Sequence, residues 1–421
     1  MAPGAIAPMA LPQFDEPPTL PKEAHSEAVE VLPSPETDVP EHSLSQYGNP
    51  SLYVSPDHTI VLKESPIPQP APHQVLIHVR ASGICGSDLH LWHRGAIGPL
   101  VVDKTHILGH EASGVVVAIG ADVKNLRPGD KVAIEPQIPC HTCFLCTSGK
   151  YNLCESVTFS GVCHAGTIRR FMTHDVRYCH KMPDTMTFAQ GALLEPLSVV
   201  LHAVRQCQGS IGIGKPVLVC GAGPIGLVAL AAARASGAWP LVISDVEPQR
   251  LEFAKRFVPG AQTYLVQSSK TPFETSEEIR RLFGCAGGRN VDIGVPDENE
   301  YNAPTTVLEC TGVESSVATA AYSCRRAGLV MVVGVGRSIM NNLPFMHLSL
   351  AEINLRFINR YSDTWPAGMN ALADGRVLNL DSLVTHTFPL EKAVEALELS
   401  ADRKSGSIKV QIVDDLEIKL S

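Results

Sequence analysis

The chain has 421 residues, 44% of them apolar, and a formal net charge of −9. That length accommodates two domains with sizeable cores. The negative balance argues against nucleic acid or an anionic membrane surface as partner, and no apolar run is long enough to span a bilayer.

Much of the charge is local. Residues 1–45 carry eight acids, among them Asp15, Glu16 and Asp38, against Lys22 alone. Rich in Pro, Glu, Ser and Ala, this stretch buries too little surface to offset its ordering entropy, so a disordered tail over 1–45 is expected. No charged n-region followed by an apolar h-region opens the chain, and its acidity disfavours a mitochondrial presequence. The C-terminal Lys419-Leu420-Ser421 is not the peroxisomal order. A cytoplasmic location is the expectation. Of twelve cysteines, four crowd between Cys140 and Cys154 and the others are scattered. In a chain of this length, such clustering reads as metal binding rather than disulfides.

From Leu52 the pattern becomes short and alternating. Val75–Arg80, Gly114–Ile119 and Lys131–Ile134 read as strands, separated by turns such as Arg127-Pro128-Gly129-Asp130. Strands without intervening helices predict a β-rich, barrel-like domain. Beyond Pro216 the pattern changes. A strand over Pro216–Cys220 leads to a helix over Leu227–Ser236, then a strand over Leu241–Ser244 and a helix over Arg250–Phe257. Strands at Thr306–Glu309 and Leu329–Val333 continue the alternation, which predicts βαβ units and a parallel sheet. Residues 285–304, rich in Gly, Asp, Glu and Asn, read as a surface insertion.

Three constellations carry chemistry. Cys85, His110 and Glu111 offer the thiolate, imidazole and carboxylate that suit zinc, although alone they favour the metal only slightly over a buried Cys and an ordinary His-Glu pair. Cys140-x2-Cys143-x2-Cys146-x7-Cys154 is stronger. Four thiolates in one short lobe close a tetrahedral site with no position left for substrate, hence a structural zinc. A redox pair, disulfides or an iron–sulfur cluster fit three equally spaced cysteines less well. Finally, Gly221-x-Gly223-x-x-Gly226 joins a strand to a helix, with Asp245 nineteen residues past Gly226 at the end of the next strand. The glycines admit a pyrophosphate at the helix N-terminus, and Asp245 favours ribose hydroxyls over a 2′-phosphate, so NAD is expected rather than NADP. Arg250, one turn into the following helix, reads either as a contact for the adenosine end or as a solvated residue.

Taken together, these motifs over roughly residues 50–415 resemble the zinc-dependent medium-chain dehydrogenase/reductase family. Leu193-Leu194-Glu195-Pro196-Leu197-Ser198-Val199 carries a carboxylate where alcohol dehydrogenases of that family usually have Cys. That form, with Arg360-Tyr361-Ser362-Asp363-Thr364-Trp365-Pro366 and Gly406-Ser407-Ile408-Lys409-Val410, resembles the polyol branch of sorbitol, xylitol and L-arabinitol dehydrogenases.

The resemblance implies a GroES-like, zinc-bearing catalytic domain over 46–196 and 361–421 and a Rossmann domain over 197–360. It implies a catalytic zinc on Cys85, His110 and Glu111, with Glu195 bound directly or through water, besides the structural zinc. It sets Arg360 and Tyr361 beside nicotinamide and polyol, and Gly221, Gly223, Pro224, Ile225, Gly226, Asp245, Arg250, Val333 and Arg360 at the cofactor. Ser87, His90 and Glu195 are its candidates for the proton path, and its members are usually homo-oligomers, tetramers in the polyol branch. The expected reaction is oxidation of a secondary hydroxyl to a ketose with hydride transfer to NAD. A threonine-type or other secondary-alcohol dehydrogenase, and a non-catalytic nucleotide-binding scaffold, are the rival readings. Leu91 after His90, where Phe or Tyr is usual, and a Phe159–Gly166 loop without Pro-Pro leave the preferred polyol open.

Overall fold

A ten-residue strand, β1 (Gln74–Gly83), is the axis of the first sheet. Val75, Leu76, Ile77 and His78 are all buried, so both faces of the strand are covered. It pairs antiparallel with β2 (Glu111–Ile119), which continues to β3 (Lys131–Ile134) through the expected turn, where Gly129 has φ +93°. β4 (Phe171–Asp175) also pairs with β1, and β5 (Cys179–Lys181) extends the sheet beyond β3. The computed structural model describes residues 44–98, 100–162, 164–287, 289 and 297–419. The tail expected at 1–45 therefore lies outside the described residues up to position 43.

Helices interrupt this β-rich part, which the alternation does not predict. α1 (Gly86–Arg94) starts from Cys85, a weak capping residue, and has no apolar period long enough to advertise it. α2 (Leu194–Gln206) runs across the domain boundary expected at 196/197. Pro196 sits in its first turn, where the missing N–H costs nothing.

The second sheet consists of β6 (Val217–Cys220), β7 (Leu241–Asp245), β8 (Gln262–Leu265), β9 (Thr306–Glu309), β10 (Leu329–Val332) and β11 (Asn354–Phe357). All pairings are parallel, in the order β8-β7-β6-β9-β10-β11. Val217, Leu218 and Val219 are fully buried, which explains the unbroken apolar run of β6. α3 (Pro224–Ala235) begins earlier than the expected Leu227 because Pro224 takes the first helical position, where its fixed φ is already helical. α4 (Pro248–Phe257) follows β7.

The chain then returns to the first sheet. β12 (Val384–Pro389) pairs with β13 (Lys409–Val413), and β13 lies antiparallel to β1 with Gln411 opposite Gly83. Of the insertion expected at 285–304, residues 288 and 290–296 lie outside the described residues. Its flanks are tied by Asp297, which accepts from Gly287 N at 2.7 Å and faces Arg280 at 3.5 Å. Among the described residues, no helix is long and apolar enough to cross a membrane.

Candidate active site

Where β1 ends, its neighbour β2 begins, and Gly83 lies opposite Glu111. A Cβ on Gly83 would stand 2.2 Å from Glu111 Oε2, so only glycine lets this carboxylate turn inward. Two residues on, Cys85 caps α1. Gly109, at φ +94°, turns the chain so that His110 joins them. The ligand atoms of Cys85, His110 and Glu111 all lie within 4.8 Å of one another. A tetrahedral zinc with ligands at about 2.0–2.3 Å spaces its donors about 3.3–3.8 Å apart, so this set needs only a small contraction to hold one.

Two groups behind the trio escape a reading of the sequence. Asp88, fully buried, accepts from Cys85 N (2.9 Å) and Gly109 N (3.2 Å), and its Oδ1 lies 3.5 Å from His110 Nδ1. Asp88 thus stands on the Nδ1 side of the ring. Burial lowers the proton affinity of His110, but the charges of Asp88 and Cys85 outweigh burial and hold it well above the ordinary histidine value. Lys409, also buried, donates to both oxygens of Glu111 at 2.8 and 2.7 Å and to Ile84 O at 3.1 Å.

Glu195 enters from the first turn of α2. Its carboxylate is not part of the 4.8 Å set, but it is close enough to feel His110, Glu111 and Lys409. Burial pushes it up to about 7. The hydroxyl of the fully buried Tyr361 faces it. The guanidinium of Arg360 sits 4.9 Å over the Phe159 ring, which itself lies 5.5 Å from the His110 ring. The fold thus brings residues 360–361 to the trio across some 250 positions of chain. Ser87 and His90 are half-buried on α1, and burial, with Arg94 and His93, holds the His90 imidazole below its ordinary value.

The second cluster is separate. Cys140, Cys143, Cys146 and Cys154 place their sulfurs within 4.8 Å of one another, with Cys143 and Cys146 at 3.4 Å and Cys140 and Cys146 at 3.9 Å. None is in a disulfide. Backbone N–H groups of residues 140, 143 and 146 point at sulfurs of Cys154, Cys140 and Cys143 at 3.4–3.5 Å. Such donors favour thiolates: those of Thr142 and Cys143 draw the Cys140 thiol down to about 6, whereas burial and its thiol neighbours push Cys146 up to about 12. Four converging sulfurs with no open side fit a closed zinc site.

The nucleotide turn leaves β6, between β7 and β9, where the strand order changes direction and α/β sheets bind dinucleotides. Gly221 has φ +98°, and a Cβ on Gly226 would meet Gly221 O at 1.8 Å. Gly223 caps α3, with Pro224 and Ile225 in its first turn. Asp245, closing β7, accepts from Ala222 N at 2.6 Å and Glu247 N at 2.8 Å. Arg250 lies over the turn, its guanidinium 3.9 Å from where a Gly223 Cβ would stand. Val333, just past β10, donates to Glu309 O at 2.7 Å. The Glu309 carboxylate in turn holds the adjacent loop, accepting from Thr311 N and Gly312 N at 3.0 Å and from Ser316 Oγ at 2.8 Å.

Comparison with known proteins agrees with this geometry. Residues 71–184 match the alcohol dehydrogenase GroES-like domain, and residues 224–374 match the zinc-binding dehydrogenase family. L-arabinitol 4-dehydrogenase of Talaromyces emersonii is 48% identical over 347 residues, which cover 82% of this chain and 86% of that protein. Sorbitol dehydrogenase of Macaca fascicularis is 42% identical over 368 residues, covering 87% and 96% respectively. Among solved structures, L-idonate 5-dehydrogenase from Escherichia coli matches with a TM-score of 0.74 at 29% identity, covering 87% of this chain and 98% of that one. The chain belongs to the zinc-dependent medium-chain dehydrogenase/reductase family. Within that family of oxidoreductases it groups with the polyol dehydrogenases, and the expected GroES-like and Rossmann folds are both present.

Proposed function

We propose that this protein is a zinc- and NAD-dependent polyol dehydrogenase, oxidising a secondary hydroxyl of a pentitol or hexitol such as L-arabinitol, xylitol or sorbitol to a ketose. The observation that carries this reading is the convergence of Cys85, His110 and Glu111 with Glu195 and Tyr361 alongside, in a chain related to L-arabinitol and sorbitol dehydrogenases. When bound, zinc on Cys85, His110 and Glu111 supplies a Lewis acid for the substrate hydroxyl and a nicotinamide supplies the hydride acceptor. The remaining work falls to the protein. Asp88 fixes the His110 tautomer and Lys409 fixes Glu111, the outer support that metal ligands require. Glu195, with its carboxyl near 7, holds or releases a proton at neutral pH, and the Tyr361 hydroxyl orients it. Arg360, stacked on Phe159, directs its guanidinium to substrate hydroxyls and nicotinamide, and Ser87 and His90 border the proton path.

Asp245, buried at the ribose end of the turn, supports preference for NAD, with Arg250 beside the adenosine. The four-cysteine lobe holds a second, structural zinc. The exposed Phe345, Met346 and Leu350, shortly before the edge strand β11, and Phe357 at its end support a homo-oligomer, a tetramer by family resemblance. A cytoplasmic location belongs to this reading, and the net negative charge supports an enzyme that engages neither nucleic acid nor an anionic membrane surface.

The test is an oxidation panel of L-arabinitol, xylitol, sorbitol and galactitol with NAD and NADP, together with metal analysis. Expected are ketose formation with NAD and two zincs per chain, one of them lost with activity in Cys85→Ala. One zinc in the wild type and no turnover of any polyol would overturn the reading in favour of a nucleotide-binding scaffold.

A further inference from the structure

Residues 359–363 carry Arg360 and Tyr361, and they are gripped from two sides. From α2, Arg205 donates to Ser362 O, to Ser362 Oγ at 3.1 Å and to Asp363 O at 3.2 Å. The other grip comes from the four-cysteine lobe. Asn152 Nδ2 donates to Asn359 O at 2.7 Å, and the Tyr151 hydroxyl accepts from Asp363 N at 2.8 Å. The same hydroxyl donates to Glu135 Oε1 at 2.9 Å. Gln137 Nε2 then bridges Glu135 Oε1 (3.0 Å) and Tyr361 O (2.7 Å), and His180 Nε2 stands 2.8 Å from Glu135 Oε2.

Three features make this more than ordinary packing. First, the lobe and its supporting strands touch the backbone at 359, 361 and 363, so each flank of Arg360 and Tyr361 is fixed. Second, Arg360 and Asp363 have φ of +54° and +51°, a left-handed conformation that L-residues keep only when their surroundings impose it. Third, Tyr151 and Asn152 lie between Cys146 and Cys154, so a metal held by the four cysteines would set their position.

We propose that the four-cysteine lobe is a positioning device for the catalytic centre. Tyr151 and Asn152 are positioning residues: they hold the 359–363 segment so that the Tyr361 hydroxyl faces Glu195 and Arg360 lies over Phe159. This rests on the assignment of Arg360 and Tyr361 to the active site made above. It differs from a lobe that serves stability alone, because it predicts an effect on catalysis at constant metal content and constant folding.

Tyr151→Phe and Asn152→Ala are the variants, each purified with metal content and thermal midpoint measured. Both are expected to keep the wild-type zinc content and a midpoint near wild type. Each loses about 10-fold in kcat/KM for the polyol, the size of one hydrogen bond, and amide exchange in the 359–365 segment speeds up by about the same factor. In a Tyr361→Phe background the further loss from Tyr151→Phe shrinks to the part that acts through Arg360, so the two losses do not add. Wild-type exchange in this segment, losses that add in the double variant, or loss of zinc or folding in both single variants would each overturn the proposal. If Tyr361→Phe alone leaves kcat/KM unchanged, the assignment of Tyr361 fails instead, and the exchange measurement still decides whether Tyr151 holds the segment.

Discussion

Lys409 donates to both carboxylate oxygens of Glu111, at 2.8 and 2.7 Å, from a strand 298 residues further along the chain. Both residues are buried, so each ion depends on the other for compensation. Removing one partner of such a pair leaves an uncompensated charge and costs about 3–5 kcal/mol. Lys409→Met is therefore expected to lower the unfolding free energy by about that amount after chelation. In the zinc-loaded protein the loss shrinks, since a bound cation takes over part of the compensation. Urea denaturation with and without chelator checks both statements, and equal losses in the two states would contradict the coupling.

The four-cysteine lobe makes a prediction of its own. Its sulfurs lie within 4.8 Å of one another, close enough for one metal ion to draw them together. Cys143→Ser is expected to bind one zinc fewer per chain and to lose on the order of 4 kcal/mol of stability, the range in which loss of a structural metal falls. Cys220→Ser, at a thiol buried in β6 away from the lobe, is the control and leaves the zinc content unchanged.

What could be read from the sequence follows from how local each feature is. The cysteine lobe spans Cys140 to Cys154 and the nucleotide turn spans Gly221 to Gly226, so their spacing alone reveals the chemistry. The parallel sheet was legible for the same reason: β6, β7, β9 and β10 are buried on both faces and read as continuous apolar runs. Asp88 and Lys409 were not legible. Asp88 looks like a residue of the Gly-Ser-Asp turn until the fold aims it at His110, and in the sequence Lys409 is only one residue of the Gly406–Val410 motif, with nothing to pair it with Glu111. Only the register of β13 on β1 makes Lys409 a buried partner of Glu111. α1 escaped because a Cys cap leaves no capping signal.

Asp245 shapes the glycine turn, its carboxylate accepting from Ala222 N and from Glu247 N. In the proposed function it has a second duty, repelling a 2′-phosphate. Asp245→Ser removes a charged acceptor from the turn, worth about 1.5–3 kcal/mol, so kcat/KM with NAD is expected to fall about 10- to 100-fold. The same change lifts the repulsion of NADP, so the ratio of the two cofactors moves toward NADP. A parallel loss with both cofactors would show that Asp245 only shapes the turn.

Asp414 ties the end of the first sheet to its middle. Its Oδ2 lies 2.7 Å from Arg170 Nε and 3.3 Å from His78 Nε2, all three side chains being buried. Burial alone would raise the carboxyl, but Arg170 and His78 outweigh it and hold it below the usual carboxylate range. A carboxyl depressed in the folded state adds stability above its unfolded value of about 3.9, and that contribution disappears as the pH falls through the folded value. Asp414→Asn is accordingly expected to cost about 3–5 kcal/mol at pH 7, because it strands Arg170 with only Glu391 and backbone for partners. Below pH 4 the unfolded chain takes up the proton before the folded protein does, so the wild type loses stability and the gap between wild type and variant narrows. Urea titrations at pH 7 and pH 3.5 measure it, and a gap that stays constant would mean that Asp414 contributes shape rather than charge.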